Sequence, residues 1–132
     1  MAITSITVNL TAAQITTLNS KPVQLVPAPS ASFMLLPVAL VVEYKFGTLP
    51  FHTAGGGGLN VVWQGSTDTI VPCNDPFFNT ASSQISVGPA RQALVDVPAN
   101  FANKALQLQS GSDYTNGDGT AKVTMFYLKV PL

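Results

Sequence analysis

The chain has 132 residues, no net formal charge and only 9% charged residues, against a usual share of about 25%. Its polar character comes from neutral residues, 13 Thr, 10 Ser, 8 Asn and 7 Gln, alongside 10 Gly and 10 Pro. These values point to one all-β, loop-rich domain over 1–132. They exclude a phosphate-backbone binder with its basic excess and a disordered chain of low hydrophobicity and high net charge.

The first segment alternates: Ile6, Val8 and Leu10 share one face, Ser5, Thr7 and Asn9 the other, as in a half-buried strand. Thr11 follows with Gln14 three residues on, a capping-box spacing that predicts a short helical turn. Asn19 and Pro22 limit it to two turns. Val23 to Val26 predict a short strand. Residues 33–46 predict the strongest one, with Leu40, Val42, Tyr44 and Phe46 on one face and Val41, Glu43 and Lys45 on the other. Pro37 inside it predicts a bulge or an edge, because proline removes a ladder donor.

Gly47 to Gly58 is a loop with four consecutive glycines, and Leu59 to Gln64 is a strand with Leu59, Val61 and Trp63 together. Residues 65–90 are less regular, with short strands expected near 69–72 and 84–87. Two more are expected at Gln92 to Val97 and Lys104 to Gln109. Asn116-Gly117-Asp118-Gly119 is a tight-turn signal, since these residues tolerate positive φ. It leads to the last strand, Ala121 to Val130, which is apolar on both faces. The whole predicts an antiparallel β-sandwich or jelly roll of about eight strands with one short N-terminal helical turn. An up-and-down barrel is the alternative.

Length allows a real core. Surface scaling gives a folded area of roughly 6,600 Å² against roughly 20,000 Å² unfolded. Cys73 is the only cysteine, so no disulfide framework exists, and a lone cysteine fits a reducing cytosol. The N-terminal stretch has no cationic region followed by a continuous apolar run, so no signal peptide is expected. The longest apolar run, Phe33 to Val42, is too short for a membrane helix of about 20 residues.

Candidate chemistry is sparse. His52 is the only histidine, and no Gly-x-Ser-x-Gly elbow accompanies it, so a Ser/His/Asp triad is not expected. One His and one Cys cannot supply a zinc site. Gly55-Gly56-Gly57-Gly58 ends in Leu59-Asn60 rather than Gly-Lys-Ser/Thr, so it is no phosphate loop. It reads as a hairpin tip or an arm that orders on a partner. In a calcium-loop register around Asp118, both essential carboxylate positions fall on non-acidic residues, Tyr114 and Met125. The six carboxylates are scattered. No catalytic residue, cofactor or metal is expected, and the protein is read as no enzyme.

Phe77 and Phe78 are adjacent, so on a strand they cannot both face one core. One is expected to plug the sandwich end and the other to meet a subunit or ligand. Trp63 is expected in the core. On the last strand Phe126 and Leu128 share a face that should meet another layer or subunit. Phe77, Phe78, Phe126, Leu128, Gly55, Gly56, Gly57 and Gly58 are therefore the candidate interface. A surface of neutral hydroxyls and amides is easily desolvated when hydrogen bonded, which predicts a homo-oligomer, a trimer, docked on a larger structure.

Several stretches resemble a known class: AITSITVNLTAAQI with LNSKPVQLVPAP, then VALVVEYKFGT, and NKALQLQSGSDYTNGDGTAKVTMFYLKV. Together they are similar to small all-β virion structural proteins of tailed bacteriophages, most like a capsid cement or decoration protein. Both ends carry the resemblance; residues 51–100 do not. It implies a trimer made in the host cytoplasm and placed on the capsid surface, with the major capsid protein as partner and neither nucleic acid nor membrane. The alternative is a head-fibre, tail or baseplate module that binds host surface glycan through Phe77, Phe78 and Trp63.

Overall fold

The computed structural model describes residues 2–53, 58–66, 71–72, 77–89 and 100–132. Among these residues, eight strands and one helix follow in the order β1 (Thr4–Leu10), α1 (Ala12–Thr16), β2 (Val23–Val26), β3 (Phe33–Lys45), β4 (Leu59–Trp63), β5 (Val71–Pro72), β6 (Gln84–Pro89), β7 (Leu106–Ser110) and β8 (Thr120–Pro131). They form two four-stranded sheets, β1-β8-β3-β6 and β2-β7-β4-β5, with every pairing antiparallel. The expected all-β sandwich is thus present, and two separate sheets replace the barrel alternative. The strand expected at 92–97 lies outside the described residues, as does Cys73.

The pairs β1–β8, β2–β7, β3–β6 and β4–β5 are nested, as in one long hairpin folded back on itself. The chain changes sheet at every connection except β4 to β5. Alternation explains this layering. An apolar strand face that is to be buried requires a second layer. Leu10, Leu35, Leu40, Val42, Tyr44, Val123 and Met125 of the first sheet meet Leu25, Leu59, Val61, Trp63, Leu106 and Leu108 of the second in one cluster. The resulting accessible surface is 6687 Å², close to the area that scaling predicts for a folded monomer of this length.

Local signals behave as their chemistry requires. Thr11 Oγ1 accepts from the Gln14 N–H at 3.2 Å, and Gln14 Oε1 accepts from the Thr11 N–H at 2.9 Å, a complete capping box. Ile15 of α1 is fully buried and ties the helix to the core. At Pro37 the register shifts by one residue before Ala39. The first residues of β3 pair with β8 alone, because β6 pairs only from Ala39 to Tyr44. Proline therefore sits where one side of the strand needs no donor. Trp63 is buried, its Nε1 donates to the Leu35 carbonyl at 2.9 Å, and its ring meets Phe101 edge-on at 4.8 Å.

Candidate functional site

The connections β1–β2, β3–β4, β5–β6 and β7–β8 gather at one end of the sandwich, where the chain's own polar groups hold them together. The Asp113 carboxylate accepts from the Asn19 and Ser20 N–H groups, each at 2.9 Å. The Asp118 carboxylate accepts from the Thr48 and Leu49 N–H groups at 2.8 and 2.9 Å, and from the Thr48 hydroxyl. The backbone hydrogen bond to Ser20 is the main cause that lowers the Asp113 pKa. The Thr48 side chain does the same for Asp118. Both carboxylates thus tie loops together as staples.

His52 belongs to the same scaffold. Its N–H donates to Thr115 O at 2.9 Å and its carbonyl accepts from the Thr115 N–H at 2.7 Å. Its side chain is exposed. Among the described residues no group of three His, Cys, Asp or Glu could hold a metal ion, and no helix is long and apolar enough to cross a membrane.

Beneath these loops lies an aromatic cluster. Phe78 packs edge-on against Tyr44 at 5.3 Å, Tyr114 at 5.5 Å and Phe77 at 5.1 Å. Phe51 joins Phe78 at 6.1 Å. Both Phe77 and Phe78 are buried, at 6% and 0% exposure. The expectation that one of the pair turns outward is therefore corrected. These residues occupy a turn rather than a strand, so the strict alternation that would separate them does not apply. Burial pushes the Tyr44 hydroxyl pKa up, and the Asp118 charge adds to it. Of the glycine run, Gly55, Gly56 and Gly57 lie outside the described residues. Gly58 accepts from the Gly111 N–H at 3.0 Å.

The outer face of the β1-β8-β3-β6 sheet carries three exposed large apolar side chains, Leu36, Ile85 and Val87. Register places three rows across it. The first is Ser5, Phe126, Ala39 and Pro89; the second Thr7, Thr124, Val41 and Val87; the third Asn9, Lys122, Glu43 and Ile85. Leu36 beside Leu128 continues the face along β3 and β8. Val87, Ile85 and Leu36 are 69%, 59% and 40% exposed. Phe126 and Leu128 are half-buried here. The face grades from apolar at Leu36 and Leu128 to charged at Glu43, Lys45 and Lys122.

At the charged end lies an open depression of about 500 Å³, lined by residues that include Asn9, Glu43, Tyr44, Lys45 and Lys122. Glu43 and Lys122 already neutralise one another at 2.9 Å. Such an exposed pair is worth only about 0–1 kcal/mol. The opposite sheet presents amides instead, with Gln24 beside Gln107 and Asn60 beside Gln109. Sequence reasoning named Phe126 and Leu128, which lie on this face, and did not name Ile85 and Val87. Their alternation was legible, yet a six-residue segment does not say which of its faces is the wet one.

No family model and no curated protein matches the chain. Solved structures do match. The chain is similar to one in the Cyanophage Pam1 capsid asymmetric unit, with 16% identity, a TM-score of 0.52, and coverage of 98% of this chain and 84% of that one. It is also similar to a chain of the acid-stable capsid of the Helicobacter pylori bacteriophage KHP30, with 10% identity, a TM-score of 0.49, and coverage of 100% and 95%. At such identities the Pam1 likeness is one of fold, an all-β sandwich spanning nearly the whole chain.

Proposed function

We propose that this protein is a structural subunit of a tailed-phage capsid, a cement or decoration protein that binds the outside of the shell built by the major capsid protein. The observation that carries this reading is the outer face of the β1-β8-β3-β6 sheet. It exposes Leu36, Ile85 and Val87 among threonines and serines, with its Glu43–Lys122 pair internally neutralised. An apolar face of this kind suits lasting contact with protein. It lacks the basic excess that nucleic acid would require.

Two further observations support it. The nested strand order is compatible with a jelly roll, an eight-stranded sandwich that viral capsid domains use, and the chain with the Pam1 likeness belongs to a capsid asymmetric unit. Several copies on one shell would multiply weak contacts by avidity. The glycan-binding alternative asked for an exposed aromatic platform at Phe77, Phe78 and Trp63, and all three are buried.

The test is add-back to capsids that lack the protein. The wild-type chain should co-sediment with the shells and raise the temperature at which they release their contents. Val87→Asp and Leu36→Glu should abolish co-sedimentation while leaving the unfolding curve of the free protein in place. Folded wild-type protein that stays in the supernatant at tens of micromolar would overturn the reading.

A further inference from the structure

A sandwich of two open sheets has four edge strands, and natural proteins blunt such edges with brevity, bulges, charge or proline. Among the described residues, three of the four are blunted. β5 has two residues and ends in Pro72. β2 has four residues and a register irregularity between Gln24 and Val26. β6 ends in Gly88 and Pro89.

β1 carries none of these devices. It is a seven-residue strand, Thr-Ser-Ile-Thr-Val-Asn-Leu, with no charge and no proline. Its register with β8 is unbroken from Thr4 to Leu10. Among the described residues its backbone bonds only to β8, so the outward-pointing amides and carbonyls of alternate residues are left open. Ile6 and Val8 at this open flank are only half-buried.

We propose that β1 pairs antiparallel with β1 of a second copy about a twofold axis at Thr7, joining two sheets into one of eight strands. The choice of a second copy rests on the strand's own pattern. Pairing centred on Thr7 sets Ile6 opposite Val8 of the partner and Ser5 opposite Asn9 of the partner. Apolar thus meets apolar on the core side, and polar meets polar on the outer side. A register displaced by one residue would put each Ile or Val opposite a polar side chain, on the wrong face. Thr7 Oγ1 already lies 3.2 Å from Thr124 Oγ1. Two Thr7 hydroxyls facing one another would extend that pair into a ladder across the axis, and such cross-strand Thr pairs stabilise sheets. No charge opposes the approach, and an isologous contact of this kind closes on itself. A threefold assembly, which the phage resemblance implied, would need some other surface.

Sedimentation velocity and cross-linking test this without any capsid. The wild-type chain at tens of micromolar should sediment as two chains, and Thr7→Lys, which sets two ammonium groups face to face, should sediment as one. In a Cys73→Ser background, Thr7→Cys should oxidise to a disulfide-linked dimer. Ser5→Cys, which faces Asn9 of the partner, should not. A wild type of one-chain or three-chain mass would overturn the pairing. So would a dimer that Thr7→Lys leaves intact, or equal cross-linking of the Thr7→Cys and Ser5→Cys proteins.

Discussion

Replacing Gly117 by alanine separates two costs that glycine avoids at once. Gly117 has φ of +82° in the β7–β8 connection, the left-handed region that costs an L-residue roughly 1–2 kcal/mol. A Cβ there would also overlap Cδ1 and Cγ of Phe51 and lie 2.6 Å from Cε1. Phe51 is fully buried and sits in the aromatic cluster, so it has little room to retreat. Overpacking of this kind adds about 1–3 kcal/mol.

Gly65 is the internal reference. It has the same φ of +82°, but a Cβ there meets no atom of the other described residues within 4 Å. Gly65→Ala should therefore cost about 1 kcal/mol, after a small gain from the stiffer unfolded chain. Gly117→Ala should cost about 2–4 kcal/mol. With a urea m-value of about 1.5 kcal/mol/M, the midpoint should fall by about 0.7 M for Gly65→Ala and by about 1.3–2.7 M for Gly117→Ala. In a Phe51→Leu background the Gly117 penalty should shrink toward the Gly65 value, a coupling of about 1–3 kcal/mol. Equal midpoints for the two glycine variants, or a Gly117 penalty indifferent to Phe51→Leu, would refute the steric half of the reasoning.

The Asp113 and Asp118 staples make stability acid-sensitive. Their folded pKa values are lowered from 3.8, so their contribution is complete above that pH and is lost as pH falls through the lowered values. Urea midpoints measured from pH 5 downward should decline for the wild type and decline less for Asp113→Asn/Asp118→Asn; parallel curves would contradict the stapling role. Trp63→Phe removes a side-chain donor to Leu35 O. It should cost about 1–3 kcal/mol by leaving that carbonyl short of a partner, read as a lowered urea midpoint; a loss under about 0.5 kcal/mol would contradict the bond's role. Thr11→Ala opens the capping box and should cost about 0.5–2 kcal/mol, whereas Thr11→Ser should restore most of it in the same assay.

The sequence by itself determined what depends on near neighbours. Alternation at Ile6, Val8 and Leu10, or at Leu40, Val42 and Tyr44, states a two-residue period that only a half-buried strand satisfies. Thr11 and Gln14 bond across a single turn. Pro37 lacks a donor wherever it stands, and Asn116 and Gly117 do adopt positive φ. Even so, the turn at Asn116-Gly117 joins strands of different sheets, which its residues do not reveal.

Only the tertiary structure decided partners and coverage. A strand's pattern says that one face is buried, not which distant strand covers it, and β1 finds β8 across almost the whole chain. The same separation hides the burial of Phe77 and Phe78, which depends on Tyr44, Phe51 and Tyr114 arriving from three other segments. It hides the role of Asp113 and Asp118, whose bonds reach back 93 and 70 residues. It also hides the open edge of β1, because an edge is defined by the neighbour that is missing. The low charge of the chain is a local fact. Where that neutrality gathers on one face is settled by which strands lie side by side.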